Sequence, residues 1–184
     1  MKARGFDPHR LHLEQFARDG GSLQGRWPQA DFRRLRSATV EGGSAPAEIV
    51  WAAQGEQRRV AGAEAQTWLR LEAGTTVALQ CQRCLQAVEQ VLAVDRALRF
   101  VRDEDEAARL DEESEDDVLA AGAWIDLRDL IEDELILALP IVPRHDLCPE
   151  PLVPPPQVAE LDDGPAEPHP FAALAALQRP KPRH

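Results

Sequence analysis

The sequence predicts an α+β fold. An antiparallel sheet or partial barrel runs from about residue 22 to 101 and packs with an apolar helix at 126–139. Three observations predict it. Apolar and polar residues alternate through TTVALQC and VEQVLAVDRALRFV, the period of half-buried strands. WIDLRDLIEDELILALP carries its apolar residues at helical spacing instead. After Pro149 the chain turns Pro-rich and acidic, the composition of an extended linker. The 184 residues therefore divide into one α+β domain at 1–148 and a Pro-rich linker with a short basic tail at 149–184. The first part is long enough to bury a hydrophobic core.

Each element has its own local reason. DPHRLHLEQFARDGG reads as a short helix, with Asp7 placed to cap it, Pro8 at the first helical position and Gly20–Gly21 ending it. GSLQGRW reads as a strand, and ADFRRLRSA as a helical turn carrying Arg33, Arg34 and Arg36. AEIVWAAQG, RRVAGAEAQTWLRLEAG, TTVALQC and VEQVLAVDRALRFV follow as strands separated by Gly and charged turns. CQRC then lies at the hairpin connection between the last two. RDEDEAARLDEESEDD, at 102–117, has almost no apolar content and reads as a solvated loop. In the next helix Asp126 is the N-cap, and Leu127, Leu130, Ile131 and Ala138 share one face, with Leu135 beside them. Ile136, Leu137 and Leu139 widen the apolar coverage, so the last turns should be buried broadly. Pro140 and Pro143 stop the helix. FAALAAL near the C-terminus is too short to be helical alone in water and would order only against a surface.

Charge is unevenly placed. Net charge is −11, yet residues 1–40 hold eight Lys/Arg against four Asp/Glu. Residues 103–167 hold twenty-one Asp/Glu against three Lys/Arg. Phosphate binding needs clustered cations that release counterions, so the chain as a whole is not drawn to RNA. Direct RNA contact would use the N-terminal segment, through Arg26, Arg33, Arg34 and Arg36, or the basic tail. The acidic middle suits a basic partner, with Asp129, Glu132, Asp133 and Glu134 on the helix as its contacts. The competing reading is that these acids only confer solubility. Three cysteines form no even disulfide framework. With no apolar leader in MKARGFDPHR and no membrane-length apolar window, the expectation is a cytoplasmic protein without a membrane partner.

Two patterns carry chemistry. A C-x-x-C pair, Cys81 and Cys84, could cycle between dithiol and disulfide as a thiol-disulfide enzyme. That chemistry wants the pair to follow a strand and open a helix, whereas here strands flank it. PRHDLC adds His145 and Cys148, completing four potential zinc ligands of Cys₃His type. Thiolate and imidazole suit this borderline-soft ion in tetrahedral geometry. The alternative to a metal site is two buried or turn thiols with an unrelated surface Cys, and a zinc-stabilised protein-binding adaptor with no RNA role is a further reading. No G-x-S-x-G elbow, P-loop or Rossmann glycine pattern is present. With no Tyr and few Phe, the strands do not look like a base-stacking sheet. Trp27, Trp51, Trp68 and Trp124 read as core or interface anchors.

CQRC at a hairpin, the acidic spacer, IDLRDLIEDELILALPIVPRHD and the terminal HPFAALAALQ, taken as an ordered set, resemble the YceD family, the large ribosomal RNA subunit accumulation proteins of bacteria. The resemblance runs from about Thr75 to His145, with PFAALAAL as a further match. It implies a non-enzymatic ribosome-biogenesis factor needed for synthesis, processing or stability of large-subunit (23S) ribosomal RNA, and it implies no known active site. Its partner would be a ribosomal precursor, reached through a basic ribosomal or assembly protein and through rRNA. Some relatives carry additional cysteines after the ALP segment, which favours a metal role in part of the family. This chain has only Cys148 there, beside His145.

Overall fold

A computed structural model describes residues 5–41, 48–59, 62 and 64–149. The Pro-rich segment and FAALAAL, from residue 150 onward, lie outside the described residues.

The centre is an open, five-stranded mixed sheet. Its strands are β2 (Ser22–Pro28), β3 (Glu48–Arg58), β4 (Gln66–Gln80), β5 (Ala87–Val101) and β6 (Asp117–Ala120), in that spatial order. The first four pair antiparallel, and β6 joins β5 in parallel. The expected antiparallel sheet is therefore present and gains a parallel edge strand. β4 is one continuous strand, so no turn forms at Gly74. Its inward row is Leu69, Leu71, Ala73, Thr75, Val77 and Leu79, all buried. This is the period of two that the sequence displays. Thr75, the polar member, donates from Oγ1 to the carbonyl of Glu48 at 2.8 Å.

Helices cover the inner face. The first one is shorter than the sequence suggests. Pro8 begins a turn, residues Leu11–His12 form a small strand β1, and α1 spans Leu13–Arg18. Strand β1 pairs with β7 (Trp124–Ile125), and this pairing competes successfully for residues the pattern would allow in a helix. Phe16 on α1 is fully buried, and the backbone of Gly55 comes so close that a Cβ there would lie 2.7 Å from both the Phe16 ring and its carbonyl. A glycine in mid-strand is explained by that approach.

The acidic run at 102–117 is not a loop. Residues Glu104–Glu113 form α3. Asp103 caps it by accepting from the N–H groups of Asp105 and Glu106, and Glu104, Asp105 and Glu106 sit at the positive end of the helix. Ala107 is buried, and Arg109 pairs with Glu113 one turn later at 2.9 Å. The run is solvated, as its composition implies, yet helical, because capping, dipole and one buried alanine supply what apolar periodicity normally would.

Helix α4 (Leu127–Leu137) carries the fold's main helical contribution to the core. Asp126 caps it, accepting from the N–H of Arg128 at 2.8 Å. Leu127, Ile131 and Leu135 are fully buried one turn apart, each worth roughly 1.5–3 kcal/mol. The last turns are narrower than expected, since Leu137 is 75% exposed. The rest of the core is filled by Leu11, Phe32, Leu35, Ile49, Leu92 and Leu98. Among the described residues, no helix is long and apolar enough to cross a membrane.

Candidate metal centre

The β4–β5 hairpin ends in a knuckle. Leu85 N–H donates to the Cys81 carbonyl at 2.9 Å, and Cys81 N–H donates to the Gln86 carbonyl at 2.9 Å. Leu85 adopts a left-handed backbone with φ of 63°, a conformation that bulky residues rarely take. Closing the turn in this way buries both Cys81 and Cys84. No helix starts at Cys84, so the helix N-terminus that thiol-disulfide catalysis would use is missing from this position.

Beyond α4 the chain returns to this knuckle. Gln82 N–H donates to the Pro143 carbonyl at 2.9 Å. Arg83, between the two cysteines, donates from Nη2 to the His145 carbonyl at 2.9 Å and to the Asp146 carbonyl at 3.3 Å. These bonds bring the H-x-x-C pair onto the C-x-x-C pair. The ligand atoms of Cys81, Cys84, His145 and Cys148 all lie within 4.8 Å of one another. All four residues predicted from spacing therefore meet.

Two contacts within the cluster match tetrahedral spacing. With bonds of zinc length, two sulfurs should stand about 3.8 Å apart, and a sulfur and a nitrogen about 3.6 Å apart. Cys81 Sγ and Cys148 Sγ are 3.9 Å apart, and Cys84 Sγ and His145 Nδ1 are 3.4 Å apart. His145 Nε2 faces the Ala87 carbonyl at 3.0 Å, which places the ring proton on Nε2 and turns the Nδ1 lone pair toward the sulfurs. Arg83 Nε reaches Cys148 Sγ at 3.0 Å. Were a divalent ion held by three thiolates, this cation would compensate their surplus negative charge. Nothing in the spacing pointed to Arg83, although a cation inside a C-x-x-C pair is the signal that could have found it.

The thiols are already polarised. Burial acts to raise the Cys81 pKa, but the N–H groups of Cys84, His145 and Arg83 and the His145 ring outweigh it and bring it down to about 5. Cys84 moves the other way, raised by burial and by its neighbours Cys148 and Cys81. Cys81 is thus shifted toward its thiolate form and Cys84 away from it, and a bound cation would favour the thiolate of both.

The arginines and helix acids meet as well, though not as separate surfaces. Helix α2 (Arg33–Ser37) has no side-chain cap of its own at Phe32. Buried Glu132 from α4 fills that role, accepting from the N–H groups of Arg34 at 2.7 Å and Leu35 at 3.1 Å. Arg34 Nε donates to the same carboxylate at 2.9 Å, and its Nη1 pairs with Asp133. Burial would raise the Glu132 pKa, but the Leu35 and Arg34 N–H groups and the Arg34 guanidinium hold it below the usual value. Glu134 is buried on another side of α4, 3.8 Å from Arg96, and burial lifts its pKa. Arg26 stands 3.6 Å from Glu48, and Arg36 donates to the Ala30 carbonyl at 3.4 Å. Arg33 and the side chain of Asp129 are exposed. Three tryptophans are anchors, with Trp51 and Trp68 buried and Trp27 half-buried against Trp51 at 4.4 Å. Trp124 is not, being 53% exposed.

Comparison with known proteins places the chain. The family model described as large ribosomal RNA subunit accumulation protein YceD matches residues 69–178, which enclose the knuckle, α4 and all four clustered ligands. The chain belongs to the YceD family. A protein of Haemophilus influenzae (strain ATCC 51907 / DSM 11121 / KW20 / Rd) named large ribosomal RNA subunit accumulation protein YceD is 36% identical over 117 residues. That alignment covers 56% of this chain and 60% of the relative, so the chain spans less than two thirds of the relative's length. No solved structure matches.

Proposed function

We propose that the chain is a zinc-clamped, non-enzymatic ribosome-biogenesis factor that supports synthesis, processing or stability of 23S ribosomal RNA in the cytoplasm. The observation that carries this reading is the family match over residues 69–178, which contains the whole Cys₃His cluster. Zinc would be held by Cys81, Cys84, His145 and Cys148. It would supply cross-linking rather than catalysis, fixing the hairpin tip to the segment after α4. With four protein ligands no coordination position stays open for substrate.

The partner contacts divide by charge. The exposed acids of α3, with Asp129 on α4, hold a basic ribosomal or assembly protein. Arg26, Arg33 and Arg36 contact rRNA phosphate. Arg34, Glu132 and Asp133 bind one another and join α2 to α4, so they serve this surface by positioning it.

The test is complementation. In a bacterium deleted for its own family member, expression of this chain should restore the ratio of 23S to 16S RNA. An unchanged ratio with the chain present and folded would overturn the reading. Charge reversal at Arg33 and Arg36 should lower association with ribosomal precursors. Undiminished association would remove the RNA contact, and undiminished protein capture after charge neutralisation of α3 would remove the protein contact.

A further inference from the structure

Trp124 lies on the two-stranded β1–β7 sheet. It pairs across the ladder with His12, whose ring meets it edge-on at 4.7 Å and 82°. Its position is fixed from both sides, by Leu13 N–H to the Ala123 carbonyl at 3.2 Å and by Leu127 N–H to the Pro8 carbonyl at 2.8 Å. A rigid backbone thus presents an indole that is half in solvent, which costs the chain apolar exposure it could avoid with a polar residue there. The Arg10 guanidinium stacks over this ring, 4.9 Å from its centroid. The Arg10 backbone N–H donates to the Asp7 carbonyl at 3.2 Å, and among the described residues its guanidinium has no hydrogen bond or ion pair, so those N–H donors remain for a ligand.

These residues wall a cleft of about 510 Å³ lined by Phe6, Asp7, Arg10, His12, Gln15 and Trp124. That is the size of a small-ligand site. It combines two aromatic rings, Trp124 and His12, a carboxylate and an amide for hydrogen bonds, and the Arg10 cation stacked on Trp124. Single-stranded RNA is recognised by this set, with its unpaired bases stacked on aromatic or guanidinium planes, base edges hydrogen-bonded, and phosphate met by arginine.

We propose that the cleft between Arg10, His12 and Trp124 binds an unpaired nucleobase of single-stranded RNA. A base stacks against Trp124, Arg10 meets the adjoining phosphate, and Asp7 and Gln15 face the base edge. The inference rests on the rRNA reading above and adds to it a base-contacting site on β1 and β7. A base stacked within a duplex has no free face for Trp124, so the site selects unpaired segments.

The experiment titrates the purified full chain into fluorescently labelled ten-nucleotide oligouridylate at low salt and follows anisotropy. Trp124→Ala should weaken binding by about tenfold or more, the usual effect of losing one stacking partner. Trp124→Phe should recover most of that loss. Arg10→Ala should weaken binding and lower the salt slope by about one. RNA duplex should compete poorly. Circular dichroism and thermal unfolding establish that each variant is folded. A wild-type chain that leaves the label unmoved overturns the site. So do Trp124→Ala and Arg10→Ala chains that bind like wild type, or a duplex that competes as well as the single strand. Restoration of 23S RNA by the wild-type chain is scored separately. Recovery there with no oligonucleotide binding discards this cleft and keeps the biogenesis role, while no recovery discards the role whatever the oligonucleotide does.

Discussion

Glu132 is the residue on which the sign of an electrostatic argument can be read most cleanly. Replacing it with Gln keeps its shape and one carbonyl oxygen, which can still accept from the Arg34 and Leu35 N–H groups. The bond from Arg34 Nε is lost, together with the negative charge at the start of α2. A hydrogen bond involving a charged group contributes about 1.5–3 kcal/mol, discounted here because Arg34 is half exposed, and an anion at a helix N-terminus adds about 0.3–1 kcal/mol. The expected cost of Glu132→Gln is therefore ~2 kcal/mol at neutral pH. Urea unfolding reads this as a fall in midpoint of about 1 M, given ordinary slopes for a domain of this size. The pH dependence follows from the direction of the pKa. Glu132 is held below its ordinary 4.5 in the folded state, so its stabilisation is complete above 4.5 and is lost as pH falls through the folded value. The gap between wild type and variant should close on acidification. A midpoint unchanged at pH 7, or a gap that widens below pH 4.5, would refute the reasoning.

Other consequences follow from the same packing. Glu134, two residues on, should behave oppositely, because its folded pKa lies above 4.5 and the charged form is the strained one. Glu134→Gln should be neutral or slightly stabilising at pH 7, by about 0–1 kcal/mol, with the gain vanishing below pH 4.5; chemical denaturation at both pH values checks it. Gly55→Ala should cost about 1–3 kcal/mol in thermal unfolding, because its Cβ would collide with backbone atoms of Phe16 and Ala17 that cannot give way. Arg83→Ala should leave the fold in place and weaken zinc retention against a chelator, since it removes the bonds to Cys148, His145 and Asp146.

Much of this molecule is visible in its sequence because strong local signals agree with the fold. The alternation in β4 and β5, the Asp126 cap and the 127–131–135 row each state one element, and the knuckle is announced by its spacing. The four metal-ligand candidates could be named but not joined. Cys81 and Cys148 are sixty-seven positions apart, and their meeting depends on Arg83 and Gln82 reaching backbone carbonyls after α4. Helix α3 stayed hidden because it buries little beyond Ala107, so periodicity had nothing to report. The charge pattern misled in one respect. It separated basic Arg34 from acidic Glu132 and Asp133 along the chain, and the fold uses them on each other. Trp124 looked like a core residue by type, and only the edge position of β7 leaves it half in water.

The account turns on whether the knuckle is closed by a metal. Protein purified without chelator should contain about one zinc per chain by elemental analysis. Single Ser substitutions at Cys81, Cys84 or Cys148, and Ala at His145, should each lose the metal and lower the unfolding midpoint together. Metal-free protein with full stability, unmoved by any of the four substitutions, would contradict it.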